Sequence, residues 1–74
     1  MDSNIRPYSN NSWIIEQKNT SRRLGYLEHS GGAFIIVADA GTPLEGVRTG
    51  PWLSKEDAMA TIGDKLGGTC LLGV

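Results

Sequence analysis

The apolar residues of this chain change their period partway along its length. Between Ser12 and Ala38 they fall in short β-branched and aromatic runs, and between Lys55 and Leu66 they recur at three- and four-residue spacing. "SWIIEQK" (12–18) therefore reads as a strand, with Trp13, Ile15 and Gln17 on one face and Ile14, Glu16 and Lys18 on the other. "NTS" (19–21) supplies turn chemistry. "RRLGYLEH" (22–29) reads as a second strand, in which strict alternation puts Leu24 and Tyr26 on one face and Gly25 and Leu27 on the other. A glycine inside a strand marks a bulge or the close approach of a neighbour, so Gly25 is expected to do one of the two. "HSGG" (29–32) predicts a tight hairpin, and "AFIIVADA" (33–40) is apolar on both faces, as a central strand is. "LEGVRTG" (44–50) suggests a short, irregular fourth strand, weakened by Gly46.

The helical stretch lies in "GPWLSKEDAMATIGDKLGG" (50–68). Ser54 is a natural N-cap, because its hydroxyl can accept from a backbone N–H in the first turn that has no carbonyl partner. Glu56 and Asp57 place negative charge at the positive end of the helix dipole, and Lys65 places positive charge in the last turn. Gly67 falls where a left-handed C-terminal residue is wanted. Ala58, Ile62 and Leu66 form one stripe with Met59 beside it, and Leu53 with Ala58 fits a hydrophobic staple. Gly63 costs about 1 kcal/mol relative to Ala within a helix but lets another backbone come close.

Residues 1–11, with Pro7 and three Asn, read as a flexible N-terminal arm, which leaves 12–74 as a single β-β-β-(β)-α domain. The apolar tail "TCLLGV" (69–74) is expected to pair as an edge strand or tuck under the helix. Consecutive strands followed by one helix predict an α+β fold, a three- to four-stranded antiparallel meander with the helix packed on one face. The expected core draws on Trp13 or Ile14, Leu24 or Leu27, and Phe34, Ile36, Val37, Ala58, Ile62 and Leu66. One helix covers one face of such a sheet. The other is then left open, carrying either Ile14 with Leu27 or Trp13 with Tyr26, and a partly apolar open face calls for a partner such as a second copy.

Composition narrows the functional classes. A chain of 74 residues buries about 60% of the surface its unfolded form exposes, so its stability is marginal unless something staples it. Cys70 is the single cysteine and His29 the single histidine, which removes an internal disulfide and argues against a four-ligand zinc site. A formal net charge of −1 lacks the basic excess of a dedicated nucleic-acid binder. No apolar run approaches the ~20 residues that span a bilayer, and no apolar core follows the first residues as in a secretory signal. A cytoplasmic setting with Cys70 as a free thiol is the expectation.

Candidate chemistry is sparse. His29, Asp39 and Cys70 follow no nucleophile–base spacing and read better as a turn histidine, a loop aspartate and a packed thiol. "GGAF" precedes a strand and "GTPLEG" lacks the Gly-Lys-Ser/Thr ending, so neither is a phosphate loop. Glu16, Glu28 and Glu45 sit at solvated strand positions. A basic and aromatic set remains, Arg22, Arg23 and Arg48 with Trp13, Tyr26 and Trp52, which would suit stacking and phosphate contacts on a partner or nucleic-acid surface. Neither catalysis nor a cofactor or metal is expected. The leading expectation is a small interaction module that binds a protein partner or forms a homodimer, with nucleic-acid binding as the alternative.

"GPWLSKEDAMATI" (50–62) resembles a phrase shared by several small sheet-plus-helix families: a glycine, an aromatic residue, then Ser, two acidic residues and Ala on a helix. AP2-type DNA-binding domains are similar, and so are HicB-like antitoxin domains through "GGAFIIVADAGT" followed by "SKEDAMATI", as well as small uncharacterised bacterial families. The resemblance covers about a quarter of the chain and reports helix capping and sheet packing. It implies the three-strand-and-helix fold and a bacterial source. Through the AP2-type pattern it also implies DNA contact by Arg and Trp on the strands.

Overall fold

A computed structural model describes residues 1–20 and 22–73. Ser21 of the 19–21 turn and Val74 of the tail lie outside the described residues. The elements are β1 (Ser3–Ser9), β2 (Ser12–Gln17), β3 (Arg23–Ser30), β4 (Ala33–Ala38), α1 (Lys55–Leu66) and β5 (Cys70–Leu72). The expected α+β architecture is present: an antiparallel meander with one helix after it, packed on one face. The sheet order is β4-β3-β2-β1-β5, with β5 parallel to β1.

The first strand corrects the reading of residues 1–11 as a flexible arm. Ser3–Ser9 pairs along β2 from Ser3↔Gln17 to Ser9↔Ser12, and Ile5 is fully buried. Pro7 is tolerated for a geometric reason. The Ser3 N–H donates to Thr69 O and the Gly73 N–H to Ile5 O, so odd-numbered residues of β1 turn their hydrogen-bonding groups toward β5. Pairing with β5 ends at Ile5↔Leu72, and the donor that Pro7 lacks falls just beyond it. The supposed fourth strand, 44–50, is a turn-rich loop instead, anchored in the core by Leu44 and Val47. The tail forms the edge strand β5, one of its two expected fates.

Register decides which side chains are covered. Ile5↔Ile15 and Ile15↔Gly25 align on one face, followed by Trp13↔Leu27 and Leu27↔Ile36. Leu24 joins that face because of a bulge: Ile15 pairs with Gly25 but Glu16 with Arg23, leaving Leu24 as an extra residue whose side chain is fully buried. The bulge therefore overturns the expectation that Leu24 and Tyr26 share a face. Gly25 fulfils both of its expected roles, since it lies in the bulge and a Cβ there would overlap the Val37 carbonyl oxygen.

Helix α1 closes this face with Ala58, Ile62 and Leu66. Ser54 Oγ accepts from the Asp57 N–H at 3.1 Å, and Gly67 takes φ +68°, as the local signals predict. The staple does not form, because Leu53 is 86% exposed. Val37 is also no core residue: it points to the opposite face and is 42% exposed. The outer edge of β4 is covered by the loop before the helix. Phe34 and Trp52 exchange backbone hydrogen bonds of 2.7 and 2.8 Å, and the Ile36 N–H donates to Thr49 O at 2.9 Å.

Candidate interaction surfaces

The face of the sheet turned away from α1 carries one row across four strands. Arg6 pairs with Ile14, Ile14 with Tyr26, and Tyr26 with Val37. The neighbouring row holds Ser12, Glu28 and Ile35. Tyr8 is the extra residue of a second irregularity, between Pro7 and Ser9, and is 67% exposed. Its ring lies 6.2 Å from that of Tyr26. The result is an apolar and aromatic strip of Tyr8, Ile14, Tyr26, Ile35 and Val37 on a surface in contact with solvent. Alternation predicts that such a face exists, but the strip is neither of the pairs expected. Ile14 lies beside Tyr26 on the open face, whereas Trp13 and Leu27 lie together on the covered one.

Charges border the strip in pairs. Arg6 Nε lies 3.0 Å from Glu16 Oε1, and Arg23 Nε lies 2.7 Å from Asp39 Oδ2. Arg23 also donates to the Tyr26 hydroxyl while its guanidinium sits 4.9 Å from that ring's centre. The hydrogen bond and charge of Glu16 raise the Arg6 pKa, and those of Asp39 raise that of Arg23, so both guanidiniums are held as cations. Sequence reasoning missed Tyr8 and Ile35 here. Read as a strand, 3–8 places Tyr8 on the face of Asn4 and Arg6, and that could have signalled it.

The six residues expected to form a binding surface separate. Arg23 and Tyr26 lie on the open face, and Arg22 is exposed at the β2–β3 turn. Trp13 faces the helix side, 6.0 Å from the Phe34 ring, with Lys55 Nζ 5.2 Å above it. Arg48 stacks 5.4 Å over Trp52, also on the helix side. Trp52, unexplained by helix capping, thus ties the loop to β4 and packs against the core. Its Nε1 is buried and has no partner among the described residues.

His29, Asp39 and Cys70 stay apart. His29 stacks on Phe34 at 4.4 Å, Asp39 is engaged by Arg23, and Cys70 lies on β5 at the far edge of the sheet. Burial pushes the Cys70 thiol pKa up, which makes it a poor nucleophile at neutral pH. Among the described residues no group of three or more His, Cys, Asp and Glu is placed to hold a metal ion. No helix among them is long and apolar enough to cross a membrane.

The fold defines a small α+β domain with one helix-covered and one open sheet face. No family model, curated protein or solved structure matches the chain.

Proposed function

We infer that this domain is a non-enzymatic interaction module that pairs with a second copy of itself through the open sheet face. The observation that carries the reading is the row Ile14–Tyr26–Val37 with Tyr8 and Ile35 beside it, apolar side chains gathered on the face that α1 does not cover. The charges on that face favour a copy of the same chain. Apart from Glu28 they come as internal pairs, Arg6–Glu16 and Arg23–Asp39, so two such faces meet without a large like-charge penalty. A two-fold axis through the strip places apolar residues on apolar residues and lets Glu28 of each copy approach an arginine of the other.

Size sets the strength. Four strands about 4.8 Å apart and about six residues long present roughly 400 Å² in projection. Side-chain relief increases that, but a standard stable interface buries about 800 Å² per partner. The dimer is therefore weak and concentration-dependent.

Sedimentation over a concentration series tests this directly. The wild-type chain is expected to shift from monomer to dimer, whereas Ile14→Asp stays monomeric. Val37→Asp provides a second variant at a more exposed position, where the fold is expected to be retained. An unchanged profile in both folded variants would overturn the reading. Arg23 against Tyr26 is also a stacking element that nucleic acid could use. Binding to single-stranded oligonucleotide that weakens steeply with salt, together with a monomeric wild type, would favour that alternative.

A further inference from the structure

The two outer edges of the sheet are finished differently, and the unfinished one points to a second binding surface. The β4 edge is occupied by the backbone of Thr49 and Trp52. The β5 edge is not. Thr69 O and the Gly73 N–H face β1, so alternation turns the N–H and C=O groups of Cys70 and Leu72 outward, and among the described residues no strand pairs with them. Such an edge is a template for one more strand.

Beside that edge runs an open groove of about 420 Å³ between α1 and β5. Met59, Ala60 and Gly63 give it an apolar lining, and Glu56 and Asp64 supply its acidic side chains. Gly63 explains how helix and strand come together here, because a Cβ would stand 3.0 Å from Gly68 O and 3.4 Å from the Cys70 nitrogen. The connection Gly67–Thr69 turns the chain back, and the groove is lined by Glu56, Met59 and Asp64 of the helix together with Thr69 and Cys70.

We propose that this groove binds an extended peptide that adds to the β5 edge as a sixth strand and carries two basic residues flanking an apolar one. The spacing follows from the helix. Glu56 and Asp64 are eight positions apart, about 12 Å along the axis. In an extended chain, side chains four positions apart share a face at about 13 Å. Basic residues at i and i+4 therefore meet Glu56 and Asp64, and an apolar residue at i+2 enters between them toward Met59 and Gly63. A second copy is disfavoured at this edge, since its own Glu56 and Asp64 would approach acidic residues of the same sign. The groove lies at the opposite side of the molecule's backbone ladder from the open strip, so it stands or falls independently of the dimer.

The test uses fluorescence anisotropy with the labelled peptide acetyl-Thr-Lys-Thr-Val-Thr-Lys-Thr-amide and a counterpart with Glu for Lys. The lysine peptide is expected to bind saturably, to weaken with added salt, and to shift the backbone amide signals of Cys70 and Leu72. The double variant Glu56→Gln, Asp64→Asn is expected to weaken it roughly tenfold while leaving the fold intact, since both side chains are exposed. Leu72→Pro removes an outward N–H without touching the β1 pairing and is expected to abolish binding. Equal affinity for the two peptides would overturn the proposal. So would shifts confined to Tyr26 and Val37, or no saturation by about 1 mM protein, the weak limit of specific recognition.

Discussion

Ile36 and Val37 are neighbours in β4, similar in size and in preference for strand, yet one is fully buried and the other 42% exposed. The same division runs through the sheet. Ile5, Ile15, Leu27 and Ile36 face the helix and are sealed, whereas Ile14, Tyr26, Ile35 and Val37 face away and meet solvent. The apolar rows on the two faces are alike in kind, although the open face also carries Arg6, Glu16, Arg23 and Glu28. Their exposure differs because α1, the one helix among the described residues, packs on one face alone. Apolar residues retained on the uncovered side contribute less to this fold than those beneath the helix, which is why that side is the candidate for association.

The sharpest way to break the comparison is to truncate both neighbours. Ile36→Ala is expected to cost about 2–5 kcal/mol, the range for emptying a packed core site. A domain of this size holds roughly 4–11 kcal/mol in total, so this variant should be largely unfolded or close to it. Val37→Ala is expected to change stability by less than about 1 kcal/mol but to weaken the proposed self-association. Urea unfolding monitored by tryptophan fluorescence, alongside sedimentation, separates the two effects. Equal destabilisation by both variants would mean that the open face is not open.

Gly25→Ala comes next. Its Cβ would overlap the Val37 carbonyl oxygen, a backbone atom that cannot rotate away, so β3 and β4 must separate locally. The expected cost is about 1–3 kcal/mol, as for overpacking, with amide signals of Tyr26 and Val37 disturbed on the open face as well. Ser54→Ala is smaller, about 1 kcal/mol for a lost N-cap, and acts on the helix that makes one face different from the other.

These residues also show what the sequence made legible. Helix α1 is legible because its cap, dipole charges and stop are satisfied within a few residues, and the stripe that packs on the sheet is written in local three- and four-residue spacing. Strand β1 was hidden because its evidence is long-range. Pro7 and the Asn10–Asn11 turn look like coil until β5 is seen to end before Pro7, where no donor is required. The face assignment failed at Leu24 for a related reason. Period-two alternation forbids burying both Leu24 and Leu27 on one side, and a bulge permits it. The basic and aromatic set was legible as composition but not as a surface, since Arg23 with Tyr26 and Arg48 with Trp52 gather on opposite sides of the sheet. An open face was foreseeable from one helix and several strands, whereas its membership depended on a register that no short window of sequence contains.

The finest distinction lies at the β1–β5 seam, where two titrating groups are held in opposite senses. Asp2 Oδ1 accepts from the Thr69 N–H and hydroxyl, both at 3.1 Å, and these bonds lower its pKa below the usual 3.8. A carboxylate lowered on folding contributes stability above its unfolded pKa, and that contribution is lost as pH falls through the lower folded value. Cys70 behaves as the mirror image. Burial raises its thiol pKa above 9.0, outweighing a hydrogen bond with Ser3 that acts the other way. Its contribution is fully present below 9.0 and fades as pH rises toward the folded value, because the unfolded chain then releases a proton that the folded chain keeps. The urea midpoint should therefore decline on both sides of neutrality, below about pH 4 and above about pH 9. Asp2→Ala is expected to flatten the acid limb alone and Cys70→Ala the alkaline limb alone, each lowering the midpoint at pH 7 as well. An alkaline limb that survives in Cys70→Ala would place the titration elsewhere, and would show that this end of the covered face is wetter than the core beneath Ile36.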